Sequence, residues 1–444
     1  MTDTAARTTD RSDAELLEEL DDWLNENWDP EITVEEWWNR LGLSGWGAPM
    51  WPEEWFGKGL GRSESVAIQN RIGEFGALSA PGGLGLLLAG PTIIDHGNDE
   101  QKDSLVRDII TGQRAWCQLF SEPGAGSDLA GLQARAIKDG EEWIVNGQKV
   151  WTSGGQIADM GMLIARTDVD VPKHQGITYF AIDMHQDGMD VRPLKEMTGR
   201  ALFNEVFMSD VRVPDEWCIG GLNNGWRVAN TTLMHERSGL GAGGGSAAAS
   251  LASPGTVAGD LTTRAGDFVR DSGKRRSGGG GGAAAGRGGA KGLIEMAKGA
   301  GKIDDKPMRQ DLMRLHTAHE IARMVNLRAK ASKAAGQTIP GLPNVMKLSM
   351  SHILRLNREI GLRILGPQGT LHAYDNESRT ALDEATGNPF LTMVTEAALF
   401  SPGPAIYGGT DEIQKNIIGE RVLGLPKEPN QDKVLPFREL PKNG

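Results

Sequence analysis

Residues 116–155, WCQLFSEPGAGSDLAGLQARAIKDGEEWIVNGQKVWTSGG, constrain this chain more than any other stretch of it. Apolar and polar residues alternate in short runs, broken by turn-rich segments at 121–128 and 153–155, a pattern that predicts a small β unit rather than helix. In the first segment, SEPGAGSD, the glycines let backbone amides approach a bound group, and Ser121, Ser127 and Asp128 supply short polar side chains at a strand end. The second, KVWTSGG at 149–155, follows Asn146-Gly147, which predicts a hairpin turn, and sets an indole beside two hydroxyls. By residue type alone, the two segments offer amides, hydroxyls and one indole to a flat ring system. An ordinary hairpin with loops is the alternative for either segment taken singly.

A chain of 444 residues with 39% hydrophobic content has room for two or three domains with buried cores. Its formal net charge of −12 argues against nucleic acid as a partner, because phosphate binding needs a positive face. Cys117 and Cys218, the only cysteines, make no disulfide framework and lack metal-ligand spacing, so no metal is expected. Both read as buried thiols in a reducing cytoplasm. The N-terminus lacks the apolar core of a secretory signal, and no apolar run reaches the roughly 18 residues of a membrane span. The longest, at 84–94, is interrupted by Gly90-Pro91.

Taken in order, Ser12-Asp13 caps a helix with Leu16, Leu17, Leu20 and Trp23 at helical spacing, and helical patterns continue to about residue 115. Alternating strands follow to about residue 224, at 164–168, 176–183, 189–193 and 201–214. Helical periodicity then returns, with Leu312, Leu315, Ile321 and Met324 marking an apolar face on 307–335 and a further helix at 345–365. The expected class is α+β, with domains at 1–114, 115–225 and 226–430 and a tail at 431–444. Between 239 and 300 the chain is rich in Gly, Ala and Ser, with glycines at 278–282 in a row, which predicts a flexible excursion.

The segments SEPGAGSD and KVWTSGG resemble, in order and spacing, the flavin-facing motifs of the acyl-CoA dehydrogenase family. So do GWGAPMWPEEWFGKGLG at 46–61, DHGNDEQK at 95–102, NEVFMSDVRVP at 204–214, RILGPQG at 363–369 and YGGTDEIQKNIIGERVLGLP at 407–426. The resemblance implies an N-terminal helical domain, a middle β-barrel or sandwich domain, and a C-terminal four-helix bundle. It implies FAD, with Phe120, Ser121, Gly126, Ser127, Trp151 and Ser153 on the flavin side; Trp151 would shield the isoalloxazine and Ser153 would bond near N5. Thr410 and Glu412 fall where relatives contact FAD, and Arg363, Gly366 and Gly369 where relatives approach the FAD of an adjacent subunit. Ser127, Arg237 and Tyr407 fall on the acyl-CoA side.

Most members take their base from a C-terminal YEGT motif, which here reads Tyr407-Gly408-Gly409-Thr410. Gly408 has no carboxylate, although its amide remains a donor for the thioester oxygen. A subset of members carries the glutamate immediately before the arginine that Arg237 resembles, and that position is Glu236. The resemblance therefore implies α,β-dehydrogenation of an acyl-CoA to a trans-2-enoyl-CoA with Glu236 as base. It also implies a place in lipid catabolism or β-oxidation, electron-transfer flavoprotein as acceptor, and a homo-oligomer or heterotetramer. The alternatives are the base-poor subunit of a heterotetramer, a same-fold flavin oxidase or monooxygenase, and a non-catalytic FAD-binding scaffold.

Overall fold

Ser12 starts the first helix by a reciprocal cap: its hydroxyl accepts the Glu15 amide, and the Glu15 carboxylate takes the Ser12 amide. The computed structural model describes residues 12–240, 260–269 and 289–441. Helix α1 (Asp13–Asn27) buries Leu16, Leu20 and Leu24, and is followed by α2 (Val34–Leu43), α3 (Arg62–Phe75), α4 (Gly90–His96) and α5 (Asp99–Ile110). Trp37 and Trp38 on α2 are fully buried because each indole N–H reaches a carbonyl, of Leu78 and Ser79 respectively. In the 46–61 loop Trp46 and Trp51 are buried, and Gly57 passes so close to Trp51 that a Cβ there would lie 1.9 Å from its carbonyl oxygen.

The middle region holds β1 (Trp116–Leu119), β2 (Arg135–Asp139), β3 (Glu142–Ser153), β4 (Met160–Arg166), β5 (Ile177–Asp183), β6 (Met189–Leu194), β7 (Phe203–Pro214) and β8 (Cys218–Ile219). They hydrogen-bond in the order β6-β7-β3-β2-β4-β5-β8, with β1 parallel to β4. β2 meets β4 through Arg135 opposite Arg166, and the sheet folds over at that join. Leu119, Leu163 and Phe180 from one half and Val145, Val206 and Val213 from the other share one core, as in a sandwich. The opposite face of β4 and β5, carrying Met162, Ile164 and Tyr179, packs with Ile93, Leu105 and Ile109 of the helices. Strand β4 is buried along its whole length, as a strand covered on both faces must be. Cys117 is buried and its thiol is pushed up to about 12 by burial, whereas Cys218, expected to be buried, is only half so.

Asn146-Gly147 does not form the expected hairpin turn. The chain turns instead at Gly140, with Asp139 paired to Glu142, and Asn146-Gly147 lies inside β3 at a bulge against β7. Gly147 is required there because a Cβ would meet that of Ala134 at 2.5 Å, and Asn146 bonds the Asp210 amide rather than closing a turn.

The remaining helices are α6 (Gly225–Leu240), α7 (Gly289–Gly299), α8 (Lys306–Ala334), α9 (Leu342–Leu365), α10 (Asn376–Thr386), α11 (Leu391–Phe400) and α12 (Asp411–Ile417). Ala290, Ala297, Leu312, Leu315, Ile353 and Ile360 form the core of the bundle built by α7, α8 and α9. The expected apolar face of α8 splits: Leu312 and Leu315 are buried, whereas Ile321 and Met324 are exposed. The 239–300 region also differs from the flexible excursion expected of it. Residues 260–269 dock on the first helices, with Ala265 buried and its amide bonded to Ile32, and Leu293, Ile294 and Met296 give α7 an apolar face that packs on the bundle. Residues 241–259 and 270–288, including the run of glycines, lie outside the described residues. Among the described residues no helix is long and apolar enough to cross a membrane.

Candidate functional site

The two glycine-bearing segments meet because β1 and β3 bring them side by side. Val150 N donates to Ser121 O at 2.9 Å, and Lys149 Nζ, fully buried, donates to Phe120 O at 3.0 Å and to Glu122 Oε1 at 2.8 Å. The Glu122 carboxylate also accepts the amides of Gln133 (2.6 Å) and Ala134 (2.9 Å), so one buried carboxylate closes the loop from 122 to 134. Within it Glu122 and Ala125 exchange backbone bonds, leaving Gly126 and Ser127 exposed at the tip. Gly126 has open space where a Cβ would stand, whereas Asp128 is held by Lys173 at 2.8 Å.

Trp151 is the residue that this arrangement forces outward. The register of β3 against β7 shifts between Lys149 and Thr152, which gives β3 one extra residue, and Trp151 takes φ +63 with its indole 60% exposed and edge-on to Phe203 at 5.9 Å. A bulky residue in the left-handed region is strained, and such strain gathers at ligand sites. Ser153 is half-buried beside it, before Gly154 at φ +67. The exposed indole of Trp151, the half-buried Ser153 and the exposed Gly126-Ser127 tip suit a large planar cofactor with a polar edge.

Helix α6, which carries Glu236, packs on the same core as Phe120. Phe120 is buried edge-on against Tyr179 at 6.0 Å, and Tyr179 Oη lies 3.3 Å from Thr232 Oγ1 on α6, which is also 3.0 Å from Thr92 Oγ1. Val228, Thr232 and Glu236 are spaced one turn apart, so the half-buried Glu236 continues the stripe that faces this joint. Burial pushes the Tyr179 phenol up, keeping it protonated. The side chain of Arg237 lies outside the described residues.

The C-terminal motifs are separated within one chain. Tyr407 to Glu412 pack along the first half of α9, where Asn344 bonds Gln414 at 2.6 Å and Asp411 is buried between Lys347 and Arg355. Gln414 Nε2 donates to Gly408 O at 3.0 Å and so fixes the Gly408–Gly409 peptide, with Gly408 at φ +63. Thr410 Oγ1 caps α12 by accepting the Ile413 amide; Glu412 is exposed; burial pushes the Tyr407 phenol up to about 12. Arg363, Gly366 and Gly369 lie at the C-terminal end of α9, about 12–24 Å further along its axis than Arg355 and Lys347. That end presents carbonyls, two of which bond Lys302 Nζ, and Arg363 is paired with Asp311.

Sequence reasoning passed over Glu122, Lys149, Arg166, Lys173 and Tyr179. A lysine directly before Val150 in a strand with buried neighbours was the available signal, since a charge at such a position must be paired. Arg200 and Arg212 are both paired, Arg200 with Glu396 and Arg212 with Glu142 at 2.8 Å. His96 is half-buried, 2.7 Å from Thr231 Oγ1.

Comparison with known proteins agrees with this layout. The domain models of the acyl-CoA dehydrogenase family match at residues 2–113 (N-terminal domain), 117–211 (middle domain) and 290–423 (C-terminal domain). The acyl-CoA dehydrogenase IpdE1 of Mycobacterium tuberculosis is 33% identical over 392 residues, 88% of each chain. FadE34 of the same organism is 46% identical over 196 residues, which cover 44% of this chain and 27% of FadE34. The crystal structure of the ChsE4-ChsE5 complex from M. tuberculosis superposes with a TM-score of 0.62 at 27% identity, covering 94% of this chain and 98% of the other.

Proposed function

The chain belongs to the acyl-CoA dehydrogenase family, FAD-dependent oxidoreductases acting on CH–CH groups, and on that premise we propose that it desaturates an acyl-CoA thioester with Glu236 as the base. FAD, when bound, supplies the acceptor for the hydride that leaves the β carbon. Phe120, Ser121, Gly126, Ser127, Trp151 and Ser153 would hold its ring system. The Glu236 carboxylate takes the proton from the α carbon. The Gly408 amide donates to the thioester oxygen as it gains enolate character. Gln414 holds the carbonyl of the following peptide, Gly408–Gly409. Ser127, Arg237 and Tyr407 would position the acyl-CoA, and the product is a trans-2-enoyl-CoA.

The observation that carries this reading is the line Phe120, Tyr179, Thr232, which ends one helical turn from Glu236. The separation of 363–369 from 407–412 supports a further element of it. Arg363, Gly366 and Gly369 would complete the cofactor site of a neighbouring subunit, and Thr410 and Glu412 would serve their own, so the working unit is an oligomer. Ile321, Met324 and Leu327 form an exposed apolar row on α8 suited to such an assembly. An electron-transfer flavoprotein is the acceptor in this scheme.

A second reading draws on Gly408 and on the two-component ChsE4-ChsE5 complex: the chain pairs with a different subunit that supplies a base. Anaerobic addition of a panel of acyl-CoAs to the purified, FAD-loaded protein tests the first reading. Bleaching of the flavin's visible band is expected; a band unchanged by every acyl-CoA defeats it, and turnover only with oxygen favours an oxidase.

A further inference from the structure

The segment 431–441, beyond the last helix, folds back across the middle domain and docks on the loop 167–175 between β4 and β5. Phe437 N donates to Val171 O at 2.9 Å and Arg438 N to Val169 O at 3.1 Å, with Arg438 Nη1 2.8 Å from Asp170 Oδ1. The ring of Phe437 is buried and covers the Arg166 guanidinium, 3.7 Å from its centroid. Arg166 is itself 2% exposed and donates to Lys173 O (2.5 Å), Ala130 O (2.6 Å) and Leu132 O (3.3 Å). Lys173, also buried, bridges Asp128 (2.8 Å) and Asp432 (2.5 Å) through Nζ.

Two buried cations thus stand between the docked segment and residues 128–132, the continuation of the SEPGAGSD turn. We propose that residues 431–441 are a strap that positions this turn through Lys173 and Arg166, with Asp432 and Phe437 as its positioning residues. The inference rests on the reading of 121–128 as part of the FAD site. Its physical basis is the cost of leaving a buried cation short of partners. Without Asp432 and Phe437, Lys173 and Arg166 gain solvent and lose enclosure, and the Asp128 and Ala130 contacts that they hold loosen with them. The same loop reaches the helix of Glu236, since His174 stacks edge-on with Trp226 at 4.9 Å and Thr167 Oγ1 bonds Asn223 Oδ1 at 2.7 Å.

The test compares the full chain with Asp432→Asn, Phe437→Ala and a chain ended after Asn430. Hydrogen exchange of the amides of residues 131–134 is measured without cofactor, and FAD affinity is measured by titration. Exchange about tenfold faster is expected in the shortened chain and in Phe437→Ala, with FAD binding weakened about tenfold and Asp432→Asn intermediate. In a Lys173→Gln background the Asp432→Asn effect should vanish. Unchanged exchange at 131–134 overturns the strap. So does unchanged FAD affinity in variants whose exchange has quickened, because the strap would then hold a turn that the cofactor does not use. A full chain that takes up no FAD overturns the functional reading instead, and exchange alone then decides the strap. Should the shortened chain fail to fold, the two point variants carry the comparison.

Discussion

Lys149 and Glu122 form an ion pair shut away from solvent, Nζ 2.8 Å from Oε1, directly beneath the join of the two glycine-bearing segments. Burial pushes the Lys149 ammonium down, against the pull of Glu122. The pair ties β3 to the 120–122 backbone and, through the other carboxylate contacts, to residues 133 and 134. Lys149→Met leaves Glu122 buried with its charge unmatched and is expected to cost about 3–5 kcal/mol in denaturant unfolding. Lys149→Met with Glu122→Gln should recover part of that, since glutamine removes the charge yet can accept only one of the Gln133 and Ala134 amides. A double variant no more stable than Lys149→Met would contradict this account.

Trp151 separates stability from binding. At φ +63 a glycine is more comfortable than tryptophan, so Trp151→Gly should leave the cofactor-free protein as stable as before, or more stable by about 1 kcal/mol. Its affinity for FAD should fall, because the exposed indole is the surface that a flat ring would cover. Melting of the apoprotein and a flavin titration give the two numbers; a fall in apoprotein stability with unaltered FAD affinity reverses the assignment.

Glu236→Gln keeps size and polarity but cannot accept a proton. FAD and acyl-CoA binding should persist while the rate of flavin reduction drops about a hundredfold or more. Stopped-flow reduction by acyl-CoA measures it. An unchanged rate would move the base to another chain and favour the two-subunit reading.

Acidification should weaken the fold in two separate windows. Burial holds His96, His174 and His319 below the ordinary imidazole range, so the unfolded chain takes their protons first as pH falls through about 6.5, and stability present above that value declines. Arg71 holds Asp21, and Lys138 holds Asp215, below the usual carboxylate range; their stabilisation is present above about pH 4 and is lost as pH falls through their folded-state values. The urea midpoint should therefore drop between about pH 7.5 and 5.5, and less so in His96→Gln and His174→Gln. A midpoint flat over that range, or equally steep in both variants, counts against it.

Local pattern determined a large share of this protein. The cap at Ser12, the apolar stripe of α1, the strand alternation and the two turn segments are readable because each depends on neighbours within a few residues. The same short-range signal misled where a distant partner intervened. Asn146-Gly147 has the chemistry of a turn, but Asp210 and Ala134 hold it in a bulge; Ile321 and Met324 continue a helical stripe past the point where the described residues cover it. Only the tertiary structure decided that Lys149 meets Glu122, that Phe120, Tyr179 and Thr232 lead to the turn of α6 carrying Glu236, and that α9 holds the RILGPQG and YGGT segments apart. Those relationships depend on strand register and domain packing, which sum weak contacts over residues far apart in the chain, and no local window of sequence contains them.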